Sequence, residues 1–318
     1  MSASRAKALV ADHGPRLPLE LAPVIVFAYA RADHLRRSIE SLLANSEAKH
    51  TDVTFFCDGP GRAEHVGGVD AVRTYVESVR GFRSVRRVYR ERNLGLARSV
   101  VEGVTEVLAE CGRVIVLEDD LVLSPHFLQY MNGGLERYKD DSRIAGVHGY
   151  VYPVDRRLPE TFFLKGADCW GWATWSRAWS HFEPEGARLL AELKARGLSR
   201  EFDFDGQFPY TSMLQDQIAG RNSSWAILWY ASCFLKDMLT LYPGRSLVQN
   251  IGNDSSGTHC GTTDGFSGDT ALSRVDCADI AVEQSISARD AFVAFFRSQR
   301  TWQSRLRDSV KRLVIQHA

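Results

Sequence analysis

Continuous apolar runs alternate along the first half of the chain with segments whose apolar residues recur every three or four positions. That rhythm predicts strands alternating with helices. Pro23-Val24-Ile25-Val26-Phe27-Ala28-Tyr29 reads as the first buried strand. Asp33 is expected to cap a helix through about Leu43, with Leu35, Ile39, Leu42 and Leu43 on one face. Val53–Cys57 is expected as the second strand, ending at Asp58-Gly59-Pro60-Gly61, followed by a helix from about Ala63 to Val79. Val85–Tyr89 reads as a third strand, Gly95–Ala109 as a helix and Val114–Leu117 as a fourth strand. Connections this short imply right-handed crossovers and a mainly parallel sheet flanked by helices.

The fourth strand stops at three carboxylates, Glu118-Asp119-Asp120. Ser124-Pro125 comes one apolar step later, and the proline suits the first position of a new helix. Adjacent acids repel one another, which costs stability unless a cation sits among them. Open α/β sheets bind ligands beyond the carboxyl ends of their strands. One or two carboxylates, completed by phosphate oxygens and water, are a typical setting for a hard divalent ion. Arg31 and Asp33, Asp58, and the Glu118–Asp120 cluster all lie just past strand ends, and they are expected to share one crevice. The alternative is an acidic strand end that merely faces solvent. No Gly-x-Gly-x-x-Gly comes after the first strand, which disfavours a dinucleotide site.

The second half is less regular and richer in aromatic residues. Ile144–His148, Phe162–Leu164 and Leu247–Ile251 read as strands, and helices are expected near 184–196, 209–221 and 225–239. Asp168-Cys169-Trp170-Gly171-Trp172-Ala173-Thr174-Trp175 is a dense tryptophan segment, and Gly252–His259 is a loop by composition. The last segment, Ala288–Ala318, reads as an amphipathic basic helix. It would dock on its own domain, form a homodimer contact, or lie on anionic lipid as a peripheral anchor. The expected organisation is a flexible leader over 1–22, a regular half over 23–150, a less regular half of the same domain over 151–265, and a helical tail over 266–318.

Composition narrows the partners. Lys plus Arg and Asp plus Glu are both 39, so the formal charge is zero and a nucleic-acid partner is not expected. The arginines at 80, 83, 86, 87, 90 and 92 are best read as a solvated face. The six cysteines are scattered without metal-type spacing, which fits free thiols in a reducing compartment. The first residues lack the apolar core of a signal peptide, and no run approaches ~20 apolar residues. A cytoplasmic protein is expected, with the inner face of the membrane as a further location.

These residues resemble a known family. Val24–Arg31, Phe55–Gly59, Asn93–Arg98 and Val114–Phe127 look like the donor half of a GT-A fold nucleotide-sugar glycosyltransferase. Weaker support comes from Cys169–Trp175, Leu214–Gln217 and Gly252–His259. The likeness covers about residues 22–262. It is strongest to the inverting branch typified by the N-acetylglucosaminyltransferase that begins complex N-glycan branches, and to bacterial polysaccharide transferases. The resemblance implies a Mn²⁺ or Mg²⁺ cofactor, a UDP-linked sugar donor, and a glycan, lipid-linked saccharide or small glycoside as acceptor. It places Tyr29 and Arg31 near the nucleotide, Asp58 on the base, and Asn93, Gly95 and Arg98 at a turn over the nucleoside. Glu118 and Asp119 would lie in the metal motif with Asp120 binding the ion directly, and His259 would lie near the diphosphate or metal. Asp216 falls where the inverting branch keeps its base. The motif reads Glu-Asp-Asp and not Asp-x-Asp, which leaves open which acid touches metal.

The chemistry is dictated by charge. Cleaving a sugar–phosphate bond leaves a nucleoside diphosphate with new negative charge, which a bridging cation stabilises. One carboxylate that takes the acceptor's proton is enough for inversion. Asp216 is the first candidate, with Asp203, Asp205 and Glu183 as competitors. Trp170 or Trp172 is expected to wall the acceptor pocket. The rival readings are a nucleotidyltransferase, for which a glycine-rich loop after the first strand is missing, and a non-catalytic carbohydrate-binding protein.

Overall fold

The computed structural model describes residues 20–252, 264–266 and 268–299. In the first half the strand–helix rhythm is realised in sequence: β1 (Val24–Ala28), α1 (Ala32–Leu43), β2 (Asp52–Cys57), α2 (Val66–Ser78), β3 (Ser84–Tyr89), α3 (Leu96–Cys111) and β4 (Arg113–Glu118). β1 pairs in parallel with β2 on one side and β4 on the other, and β2 pairs in parallel with β3. Successive side chains of β1 point to opposite faces. Val24 and Val26 enter one core with Leu35, Ile39 and Leu42 of α1, and Ile25 and Phe27 enter another with Val100 and Val104 of α3. A strand covered on both faces has no polar alternation, which is why it reads as an unbroken apolar run.

Two boundaries differ from expectation. Asp33 is not the cap of α1. Arg31 occupies that position without a side-chain cap bond, while Asp33 lies in the first turn, largely exposed, with Arg36 3.3 Å away. The Arg31 side chain is turned instead toward Asp119 and Asp120. Pro125 lies in a turn, and the helix starts two residues later at Phe127.

The second half adds β5 (Leu121–Leu123), α4 (Phe127–Arg137), β6 (Ile144–His148), β7 (Thr161–Lys165), β8 (Trp172–Trp175), α5 (Ser176–Trp179), α6 (Gly186–Ala195), α7 (Ser199–Phe202), α8 (Tyr210–Ile218), α9 (Trp225–Leu235), β9 (Leu239–Pro243) and β10 (Val248–Asn250). One eight-stranded sheet results, in the order β3-β2-β1-β4-β8-β6-β9-β7. It is mostly parallel, with β8 antiparallel to both β4 and β6, and β7 antiparallel to β9. This is the α/β arrangement of the GT-A fold.

The tryptophan segment therefore contains a central strand, β8. The helix expected over 225–239 stops at Leu235, and Leu239 opens β9. Periodicity cannot separate an all-apolar helix from an all-apolar strand that comes directly after it. α9 buries every side of itself, and Ser224 caps it by accepting from the Ile227 N–H at 3.3 Å. A final helix, α10, covers residues 286–299 of the described chain. Its Phe292, Phe295 and Phe296 lie in the protein's own core with Phe162, Phe204 and Tyr242. These rings dock the helix on its own domain, and the rest of the expected tail lies outside the described residues. Among the described residues no helix is long and apolar enough to cross a membrane.

β5 and β10 form a separate antiparallel ribbon, with Leu121 opposite Asn250 and Leu123 opposite Val248. The ribbon matters for the site, because it returns the chain from the second half to the acids at the end of β4.

Candidate active site

β1 and β4 are parallel neighbours, so the loops that leave their carboxyl ends meet at one edge of the sheet. The Arg31 guanidinium, just past β1, donates to both Asp119 and Asp120, the latter at 2.8 Å. Both acids are buried. Burial works against the charge of Arg31, but the two carboxylates outweigh it and hold the guanidinium firmly protonated. Burial pushes Glu118 and Asp119 above the usual carboxylate range. Asp120 and Asp119 add to the rise at Glu118, while at Asp119 the guanidinium opposes it and Asp120 adds.

The end of β2 joins the same crevice. Cys57, its last residue, has its thiol pushed up to about 12 by burial, opposed by Arg73 and reinforced by Asp119 and Asp58. Asp58 holds the turn before α3: its carboxylate accepts from the Leu94 N–H at 3.0 Å and the Gly95 N–H at 2.9 Å. Gly95 stands at φ 79, a left-handed conformation that favours glycine. Asn93 donates to the Gly59 carbonyl at 3.2 Å, closing the turn onto the loop after β2. Tyr29 accepts from the Gly61 N–H at 2.9 Å and shares a 2.6 Å hydrogen bond with His65 Nδ1. Arg98 reaches along α3 to Glu102 at 2.5 Å and is exposed.

The ribbon closes the crevice from the other side. The Ile251 N–H donates to the Asp120 carbonyl at 2.9 Å. At Gly252, a Cβ would lie 2.1 Å from Asp120 Oδ2 and 3.1 Å from Arg31 Nη1. Only glycine leaves room for the acid and the guanidinium to keep their places. Gly252→Ala is expected to displace the Asp120 carboxylate, at a stability cost of about 1–3 kcal/mol. Thermal unfolding checks this; wild-type stability in the variant would refute it. His259, the expected ligand beyond this point, lies outside the described residues.

The acids suit a divalent ion by their oxygen chemistry and by the repulsion among them. Among the described residues, buried Arg31 Nη1 has no hydrogen-bond partner, an unfilled donor beside the same carboxylates. Among the described residues no group of three His, Cys, Asp or Glu side chains encloses an ion by itself. An ion here would have to take further oxygens from a ligand and from water, which is the usual mode for Mg²⁺.

A cavity lies across β4 from β1. β8 pairs with β4 so that Trp172 faces Val116, and Trp170 lies two residues before β8. The Cys169 thiol, raised chiefly by burial, also lies in the field of Glu118, Asp168 and Asp120. Asp168, Cys169 and Trp170 are walls of a cavity with about 580 Å³ of empty space, part of it open. His148, Tyr150, Tyr210 and Met213 line it too. Trp170 packs edge-on against Tyr150 at 4.7 Å. Trp172 does not border the cavity; it stacks on Trp225 at 5.4 Å inside the core. Asp216 lies one turn of α8 beyond Met213, and its carboxylate is held by Arg221 Nε at 2.7 Å.

Sequence reasoning did not single out Asp168, His148, Tyr210 or Tyr242 as candidates, and it read Gly252 only as the start of a loop. Only Asp168 carried a local signal, a lone acid opening the tryptophan segment. The others are ordinary residues of strands, helices and a loop until the sheet assembles.

The sequence profile of Glycosyl transferase family 2 matches residues 24–188. No curated protein matches the chain. Among solved structures, a mannosyltransferase (PcManGT) from Pyrobaculum calidifontis in complex with GDP-Man and Mn²⁺ is 16% identical, over 42% of this chain and 39% of that one, with a TM-score of 0.30. TarS of S. aureus is 14% identical over 46% and 24%, at 0.30. GalNAc-T7 with UDP, GalNAc and Mn²⁺ is 13% identical over 52% and 37%, at 0.37. The chain thus spans well under half the length of each of these proteins. The profile match covers more than half of the chain and includes β1, the Asn93–Gly95 turn, the Glu118–Asp120 cluster and β8, so the chain belongs to Glycosyl transferase family 2.

Proposed function

We propose that the protein transfers a sugar from a UDP-linked donor to a hydroxyl of a glycan, lipid-linked saccharide or small glycoside, with inversion at the anomeric carbon and with Mn²⁺ or Mg²⁺. The observation that carries this reading is Arg31 bound to Asp119 and Asp120 at the ends of adjacent parallel strands, with an aromatic cavity whose Cys169 wall lies in the field of Glu118 and Asp120. The Glu-Asp-Asp form of the motif supports the inverting branch. Residues 23–150 would serve the donor and 151–265 the acceptor.

Each group has a part. Arg31 brings a bidentate fork to the phosphates, where its Nη1 finds acceptors. Asp58 and the Asn93–Gly95 turn, with Tyr29 and Arg98 nearby, would hold the nucleoside. Asp120 would hold the divalent ion directly, with Asp119 on ribose or on a metal-bound water and Glu118 beside them in the motif. When bound, the ion supplies positive charge to the departing diphosphate. Trp170 offers an aromatic wall to the acceptor sugar.

The test is a thermal-shift panel of UDP, GDP and UDP-sugars with and without Mn²⁺. Stabilisation by UDP that requires the ion is expected. No metal-dependent binding of any nucleoside diphosphate would refute the proposal, and pyrophosphate release from UTP with a sugar phosphate would favour a nucleotidyltransferase instead.

A further inference from the structure

The aromatic cavity contains a carboxylate to which the proposed donor site gives no role. Asp168 sits in its wall, shortly before β8, and is held by two phenols. The Tyr242 hydroxyl donates to Oδ2 at 2.9 Å and the Tyr210 hydroxyl to Oδ1 at 3.3 Å. A carboxylate oxygen has two acceptor positions, so each oxygen keeps one for a further donor. The two tyrosines come from β9 and α8 and fix the orientation of the group from two directions.

We propose that Asp168 is the proton acceptor for the sugar hydroxyl bound in this cavity, in place of Asp216. This rests on the glycosyltransferase reading. The acceptor O–H gives its proton to an Asp168 oxygen as its own oxygen bonds the anomeric carbon. The bond from that carbon to the diphosphate breaks, and its electron pair leaves on the phosphate oxygen. Protonated Asp168 then returns its proton to solvent.

The surroundings suit the role. Burial raises the Asp168 carboxyl, the tyrosine donors pull it back, and the balance is about 6. An acceptor of that affinity is charged at neutral pH yet still basic enough to take a proton. The groups that face it do not titrate there. Burial holds Tyr150, Tyr152, Tyr210, Tyr230, Tyr242 and Cys169 above their ordinary values. Burial also lowers His148 to about 3, and the Trp170 N–H donates to its Nε2 at 3.1 Å. Asp216, by contrast, is shared with Arg221 and borders no part of the cavity.

The experiment uses the full chain with Mn²⁺ and UDP-glucose, UDP-galactose and UDP-N-acetylglucosamine. It monitors UDP released to p-nitrophenyl glycosides or to water from pH 5 to 9, beside UDP binding. Asp168→Asn is expected to leave UDP affinity within about threefold, to lower kcat ~10²- to 10⁴-fold and to remove an acidic limb near pH 6. The acids of the Glu118–Asp120 cluster are unchanged in this variant, so any limb they cause would persist. Tyr242→Phe takes one donor from the carboxylate and is expected to move the limb to higher pH, which a purely structural role for Asp168 would not do. An unmoved limb in both variants, or its loss in Asp216→Asn instead, overturns the assignment while UDP binding persists. Failure of the wild-type protein to bind UDP with Mn²⁺ overturns the glycosyltransferase reading, and this assignment with it.

Discussion

Asp120→Ala is expected to lower kcat/KM for sugar transfer by ~10²- to 10³-fold, and to remove the stabilisation that UDP gives in the presence of Mn²⁺. Asp120 is buried, accepts from Arg31 at 2.8 Å and touches the ribbon through its carbonyl. Under the proposed reading it is the carboxylate that holds the ion on the diphosphate. Loss of a preorganised charge aimed at a leaving group costs about 3–4 kcal/mol of transition-state stabilisation. A ligand present at 100 times its Kd stabilises by about 2.7 kcal/mol, and this gain should vanish from the thermal-shift profile. Asp168→Asn should keep it. A variant at Asp120 that retains Mn²⁺-dependent UDP binding would mean that the ion sits elsewhere.

Arg31→Ala is expected to destabilise the protein by about 3–5 kcal/mol at pH 8, because it leaves two buried carboxylates without their partner. The dependence on pH has a definite sign. Burial already raises Asp119 above its unfolded range, so the folded state binds protons more readily than the unfolded one. Stability from this group is therefore present at low pH and lost as pH rises from the unfolded carboxylate value, about 3.9, through the folded one. Removing the guanidinium raises the folded value further and widens that window. Denaturant unfolding at pH 5 and pH 8 should show a small cost at the lower pH and the full cost at the higher, with Mn²⁺ restoring part of it. Arg31→Lys keeps the charge but not the fork, and should recover stability better than nucleotide affinity. Equal losses at both pH values would show that Asp119 does not depend on Arg31 for its charge.

The donor half is legible in the sequence because its signals are local. An apolar run, a helical repeat and an acid cluster past a strand end are each contained in a few residues, and short crossovers fix their order in the sheet. Arg31, Asp58 and the three acids can therefore be placed at one edge from the sequence. The cap at Asp33 is misleading because a good capping residue stands where the fold needs Arg31 turned toward Asp119 and Asp120. The acceptor half resists reading for the opposite reason. β8 and β9 are short apolar strands inside aromatic or apolar surroundings, and only the pairing of β8 with β4 and β6 tells them from core helix or loop.

By itself, then, the sequence determined that apolar runs must stack into a covered, mainly parallel sheet and that carboxylates and an arginine must gather at its rim, since local periodicity and like-charge repulsion act over a few residues. Only the tertiary structure decided which acid is wrapped by Tyr210 and Tyr242, which tryptophan borders the cavity, and why residue 252 has no side chain. Those facts depend on side chains brought together from distant parts of the chain, which no local pattern encodes.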